Sequence, residues 1–459
     1  MLASIANTFG NCFKIPELKS RIIFTALLLG VCRLLAFIRV PGLDAHKLTE
    51  YFNSQAGGGG VVGMYNLFTG GALEHCAVGA LGIMPYISAT IILQLLTAVV
   101  PQLSKLAREE GGRAKIIQYG RYATVALCIV WGYVMALGWE KPNSVGQGVP
   151  ELLLQGSLDH IWWYRIQTML CLVTGTMLLM WLGEQITERG IGNGVSLVIT
   201  IGIVARLPKA AQAMVDMFVA PGGLEAKYNL GHGVALVLLL VGVIAGVIAV
   251  TQAQRKIPVQ YAQRAVGRKV YQGGTSFMPL RVNYAGVMPI IFAGAILSFP
   301  QQLASKIGQI WDVPFLTTIA RHLQEGAFLY LTVYGVLILF FSYFWVATQF
   351  NELQIADDLK KNGGYIPGVR PGQATSDYLH HAMTRITLAG AIFLTVIAVI
   401  PIMLTRWMNI PYDVTQFFGG TSMLITVGVM LDTMRQVESH LLMRHYDGFL
   451  KKGRLRGRF

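Results

Sequence analysis

LGHGVALVLLLVGVIAGVIAVTQA, residues 230–253, decides the fold: across its whole length only His232 is ionisable. As an α-helix of about 1.5 Å rise per residue it spans roughly 36 Å, against about 30 Å of bilayer hydrocarbon. It has no polar face to turn toward water, so its solvent is lipid. Nine further stretches have the same character: 22–40, 77–100, 116–139, 166–183, 194–215, 284–304, 327–350, 386–404 and 414–431. The whole chain of 459 residues agrees, with 54% apolar types and 13% charged residues. A soluble protein carries roughly 25% charge, and disorder needs low hydrophobicity, so a soluble enzyme and a disordered chain are both excluded. Cys12, Cys32, Cys76, Cys128 and Cys171 form no CxxC and are odd in number. They read as free apolar thiols rather than a disulfide framework or zinc knuckle.

Orientation follows from charge. With the N-terminus cytoplasmic, the inside segments are 1–21, 101–121, 184–194, 252–283, 349–385 and 432–459, and they hold 26 Lys and Arg against 9 in the outside segments. Asp and Glu divide almost evenly, 12 inside and 11 outside. A bias confined to basic residues is the positive-inside signature. It puts both termini in the cytoplasm and requires an even number of spans. That parity keeps 194–215 as the fifth span, although Arg206 and Lys209 interrupt it. Residues 1–21 lack the pattern of a cleavable signal peptide.

Three inside segments exceed what topology needs. Segment 252–283 has six basic residues, no acidic one, and the Val, Tyr, Gln and Gly content of a protruding β-hairpin. Segment 349–385 contains GGYIPGVRPG, too dense in turn residues for a helix, and the tail ends KKGRLRGRF. Attraction to anionic lipid, about 1 kcal/mol per basic residue, accounts for the charge alone. The lengths favour docking of an acidic or RNA-bearing partner.

Two motifs recur. Gly82-Ile83-Met84-Pro85-Tyr86-Ile87 matches Gly286-Val287-Met288-Pro289-Ile290-Ile291, and Gly194-Val195-Ser196-Leu197-Val198-Ile199 matches Gly420-Thr421-Ser422-Met423-Leu424-Ile425. Both relate span n to span n+5, and five spans per half make the repeat an inverted one. Chemistry is sparse: GxxxxGK[ST], HExxH and GxSxG are missing. His380, His381, His440 and His445 lie in polar segments and read as solvated side chains. Spans two, four and six to nine contain no acidic residue, so no proton-coupling chain runs through the membrane. The pattern is that of a passive conduit driven by a partner. A secondary transporter of small solutes is the competing reading, favoured by the repeat and disfavoured by the missing ionisable groups.

The motifs are also those of a known family. ALGIMPYISATIILQLL (80–96), WLGEQITERGIGNGVSLVI (181–199), NLFTGGAL (66–73), LKKNGGYIPGVRPG (359–372) and FFGGTSMLI (417–425) stand in the order found in the SecY family, which the chain resembles over essentially its whole length. The resemblance implies an all-α polytopic membrane protein, a non-enzymatic protein-conducting channel of ten helices in two inverted halves of five. Residues 1–217 are the expected N-terminal half, with a plug at about 61–73. Residues 218–434 are the C-terminal half, with the cytoplasmic loops 252–283 and 349–385, and 435–459 a basic tail. The implied location is the cytoplasmic (inner) membrane. No cofactor or metal is implied. The implied partners are SecE and SecG as small membrane subunits, the SecA ATPase or the ribosome, the lipid bilayer, and signal sequences and unfolded clients as cargo.

Carried over by motif, the pore ring falls on Ile83, Ile87, Val195, Ile199, Ile291 and Ile425. Apolar branched side chains dewet a narrow pore and still yield around a passing peptide. Met64, Asn66, Phe68, Gly70 and Gly71 map to the plug. Ser88, Gln94, Asn193 and Phe299 map to a lateral gate, although a packing role suits Gln94 equally. Arg370, Arg255, Lys256, Arg264, Arg268 and Lys269 map to the docking loops.

Overall fold

A computed structural model describes residues 15–53, 65–66, 69–109, 111–140, 152–154, 160–218, 230–261, 264–266, 269–271, 274–284, 286–294, 296–297, 315, 318–319, 322–323, 327–407, 414 and 421–452. The chain divides into two compact units, residues 1–212 with 429–459, and residues 213–428.

The first unit contains α1 (Pro16–Leu35), α2 (Ala45–Asn53), α3 (Met84–Val99), α4 (Pro101–Arg108), α5 (Gly112–Glu140), α6 (Ile161–Arg189), α7 (Gly194–Val204) and the start of α8 (Leu207–Phe218). α1, α3 and α4 each begin with proline in the first two helical positions, where the missing N–H costs nothing. α5 and α6 form an antiparallel pair of 29 residues each. Arg121 grips Glu184 at one end of the pair with bonds of 3.1 and 2.7 Å, and Arg165 grips Glu140 at the other with 2.8 and 3.0 Å. Such bidentate forks fix geometry as well as charge. Trp162 and Trp163 open α6 69% and 68% exposed, the place of an interfacial aromatic belt, and the Arg165 guanidinium lies 4.9 Å above the Trp162 ring.

The expected second span, 77–100, becomes helical only at Met84. Gly82 takes a left-handed φ of 58°, and Pro85 fits only in a first helical turn. The preceding stretch instead packs without helix into the core, with Ala80 and Leu81 fully buried beside Val40, Cys76, Trp139 and Leu172, and Ala77 against Ala36 and Ala72.

The second unit contains α9 (Leu230–Gln252), a helical stretch over 288–294, α10 (Phe328–Gln349), α11 (Glu352–Lys361) and α12 (Gln373–Trp407). Tyr334, Ile338, Ile290, Ala293, Leu394 and Leu424 build its main core. α13 (Thr421–Lys452) starts in this unit and ends in the first. α9 shows the solvent plainly: Val234, Val237, Leu238 and Val241 form an exposed stripe at helical spacing, while Leu236, Val243 and Val247 are buried. In water the outer stripe of a half-buried helix is polar; here it is as apolar as the core.

Six helices among the described residues are long and apolar enough to cross a membrane. They include Gly194–Val215, the fifth expected span, which bends at Ala205 and Arg206 between α7 and α8. Of the other four expected spans, α1, α3 and α13 are helical with lower hydropathy or shorter length, and 284–304 lies partly outside the described residues. The architecture is that of an all-α polytopic membrane protein carrying, among the described residues, a two-stranded ribbon and a small three-stranded sheet.

That sheet is the expected hairpin and one strand more. β1 (Gln254–Tyr261) pairs antiparallel with β4 (Thr275–Arg281), and the short strands β2 (Arg264–Val266) and β3 (Lys269–Tyr271) pair with each other. β5 (Gly364–Tyr365), from the turn-rich loop, adds to the other edge of β1. Ile257, Leu280, Phe350, Ile366, Leu379 and Met383 fill the core beneath. The two basic loops therefore fold as one body.

Candidate functional site

The site in the first unit is built on Asn66 and the non-helical segment 69–76. Asn66 is fully buried and closes the segment on itself: its Nδ2 donates to Glu74 Oε2 at 2.8 Å and its Oδ1 accepts from the Glu74 N–H at 3.1 Å. Gly70 and Gly71 adopt φ of 66° and 86°, conformations that cost a glycine nothing. The Gly70 carbonyl accepts from Arg33 Nη1 at 2.8 Å, and a β-carbon on Gly70 would stand 2.7 Å from the Gly202 Cα. The segment thus lies with its backbone directly on α7.

A cavity of about 30 Å³ lies alongside, lined by Thr69, Gly82, Ile83, Ile199, Gly202 and Arg33, among others. It has room for a water molecule. Expected plug and ring positions of this unit meet there. Ile83 is the N-cap residue of α3, Ile87 sits one turn on, and both are buried, as is Ile199; Val195 is half-buried. In the second unit Ile291 and Ile425 are buried too.

Electrostatics concentrate on Glu74. Its carboxylate lies 3.1 Å from Arg206 Nη2, 3.7 Å from His75 Nε2 and 3.9 Å from Lys209 Nζ. Burial holds the His75 imidazole below its ordinary pKa; Glu74 works against this, and Arg39, Arg33 and Lys209 add to it. Arg33 stacks on Phe37 at 5.5 Å, and Phe37 lies 5.4 Å from the His75 ring.

The first repeated motif has the same conformation in both copies. Gly82 and Gly286 have φ of 58° and 62°, a helix starts two residues later in both, and Pro85 and Pro289 take its second position. α7 starts at Gly194 and α13 at Thr421, with Ser196 and Ser422 both buried.

Among the gate candidates, Ser88 and Gln94 are half-buried on α3. Asn193 caps α7, its side chain accepting from the Ser196 N–H at 3.3 Å. The turn before it is tied on every side. The Ile191 N–H donates to Thr25 Oγ1, Gly192 to Gln436 Oε1 and Gly194 to Thr187 Oγ1, at 3.1, 2.7 and 2.9 Å. Phe299, Met64, Phe68 and Arg268 lie outside the described residues.

Arg255 and Lys256 are exposed on β1, while Arg264 and Lys269 are described by backbone alone, in β2 and β3. Arg370 is exposed in a turn held by left-handed Gly368 and Gly372, its carbonyl accepting from Thr375 Oγ1 at 2.9 Å.

The SecY family model matches residues 77–434. The chain belongs to the SecY family. It is similar to the protein translocase subunit SecY of Chlamydia trachomatis serovar D, with 42% identity over 98% of this chain and 99% of that protein. The corresponding subunit of Escherichia coli K12 is 43% identical, with 96% of each covered. Among solved structures, a protein conducting channel aligns over 95% of this chain and 94% of that one with a TM-score of 0.59 at 17% identity. Sec61 in the canine ribosome–channel complex aligns over the same shares with a TM-score of 0.55 at 18% identity. The fold is therefore the SecY family's.

Within this SecY family member, Glu74, Arg206 and Lys209 were not singled out from sequence as a site. A signal existed: charges abutting apolar spans call for a named partner. By sequence alone Arg206 only interrupts the fifth span.

Proposed function

We propose that the chain is the channel subunit of a protein translocase. It conducts unfolded polypeptides across the cytoplasmic membrane and releases apolar segments sideways into lipid. The observation that carries this is segment 69–76, seated by backbone contact on α7 beside a cavity lined by Ile83 and Ile199. A glycine-hinged segment over branched apolar side chains is what a seal that must open requires.

Ile83, Ile87, Val195 and Ile199 from one half and Ile291 and Ile425 from the other form the constriction. The halves, 1–217 and 218–434, are inverted repeats, a reading supported by the like conformation of the first repeated motif in both copies. Ser88, Gln94, Asn193 and Phe299 line the lateral exit. The chain is a conduit without catalytic residues, and partners supply the driving force: SecA, or a translating ribosome, as for the ribosome-bound neighbour in the same fold. SecE and SecG are its small membrane subunits. Arg255, Lys256, Arg264, Arg268, Lys269 and Arg370 form the cytoplasmic docking face; β1 carries Arg255 and Lys256, and β5 beside it leads into the turn that presents Arg370.

Purification in mild detergent tests this reading. The chain should bring down a small helical membrane protein together with an ATPase or ribosomes; isolation of the chain alone, still folded, counts against it. The orientation has its own test. Single cysteines introduced by Gly273→Cys and Gly363→Cys, in a chain without the native five, should resist a membrane-impermeant maleimide in intact cells and react after permeabilisation. Labelling of both from outside reverses the topology.

A further inference from the structure

We propose that Glu74 is a latch: paired with Arg206 on the turn between α7 and α8 and backed by Lys209, it holds segment 69–76 closed on α7. The inference rests on the channel reading and names a positioning residue within it. Its basis is geometric. The Glu74 side chain is 13% exposed and that of Arg206 14%, at a separation of 3.1 Å, so the pair is largely removed from water. Glu74 is also the residue through which the segment closes on itself, by two bonds to Asn66, and the Thr49 hydroxyl fixes its carbonyl at 3.0 Å. A β-carbon on Gly71 would stand 3.3 Å from Glu74 Oε1; glycine leaves room for the carboxylate to reach its cations.

Among the described residues, the rest of the seat lacks charge pairing. Gly70 lies on Gly202 through backbone atoms, and Thr69 meets Gly82 through its methyl group. Arg33 holds a carbonyl rather than a carboxylate. The Glu74–Arg206 pair is thus the one strong, breakable bond described between the segment and the helix end it must leave. Breaking it exposes both ions to water, which solvates them and makes opening reversible. How apolar a client must be to open the channel then depends on this pair.

The test is amide hydrogen exchange over residues 69–76 of the purified chain in lipid nanodiscs, with resting ion conductance measured alongside. Glu74→Gln keeps the shape and the bond from Asn66 but removes the charge; Arg206→Met removes the partner. Each should speed exchange at 69–76 by about tenfold or more, since a lone half-buried ion is costly. The double variant should be no faster than the quicker single, as coupled residues behave. Arg206→Lys should return exchange to near the native rate, and conductance should follow exchange.

Unchanged exchange in Glu74→Gln overturns the latch, and so do additive effects in the double variant. Acceleration that extends through α5 and α6 also overturns it, because it would mark Glu74 as general core support. Exchange needs no transport, so the result stands apart from the channel reading: a native chain that moves no client sinks that reading and leaves the exchange data to judge the latch.

Discussion

Arg370→Glu should cut partner-driven transport by about thirtyfold or more while leaving the chain folded. The side chain is exposed, so reversing its charge disturbs no core. Its backbone is fixed by Gly368, Gly372 and the Thr375 hydrogen bond, and β5 anchors the loop to β1. A cation presented on so rigid a turn loses little entropy on docking, and a well-placed arginine at an interface is worth about 2 kcal/mol or more. Transport into vesicles and thermal unfolding, measured on the same preparation, check both halves of the prediction. Native transport by the variant removes Arg370 from the docking face; a lowered unfolding temperature would mean that the turn supports the fold instead.

Gly194→Val should be the most damaging single substitution of the first unit. α7 starts where α6 passes it, and a β-carbon on Gly194 would collide with the Gly183 carbonyl oxygen and stand 2.9 Å from the Ile186 Cβ. The obstacle is largely backbone, so no rotamer change relieves it. Separating α6 from α7 also strains the Thr187 bond to the Gly194 N–H. A loss of about 3 kcal/mol or more follows, at the upper end for overpacking. Thermal unfolding in detergent should show a clear drop in midpoint and reduced yield. Gly111→Val supplies the contrast in yield and packing: nothing lies within 4 Å of its β-carbon, and only its left-handed φ of 80° resists the change. Equal stability of Gly194→Val and the native chain would show that α6 and α7 are not in the contact described.

How much of this could be read from sequence depends on the range of the interaction. Spans such as 230–253 were legible because lipid imposes one rule on every face of a helix. The hairpin of 252–283 was legible from its own residues, as strand content is local. Its third strand was not, because β5 lies about a hundred residues on and is two residues long. The late start of α3 was written in Gly82 and Pro85, yet apolar composition hides a turn inside a span. Ile83, Ile199 and the plug positions came through motif resemblance, and the structure brings Thr69, Ile83 and Ile199 to one cavity. The Glu74–Arg206 pair joins residues 132 positions apart, and no periodicity records such a contact. Asn193 shows another limit: motif resemblance makes it a gate residue, whereas the bond the structure gives it is a helix cap, accepting from the Ser196 N–H.

The central claim is that this chain passes unfolded polypeptide. Its most direct test is protease protection in sealed vesicles holding the chain with its small subunits, supplied with the motor, ATP and a client bearing a signal sequence. Full-length client should become protected in the lumen, only with ATP, while the vesicles stay tight to ions before client is added. Client that stays fully digestible, in vesicles that exchange a small solute instead, would contradict the account and favour a transporter.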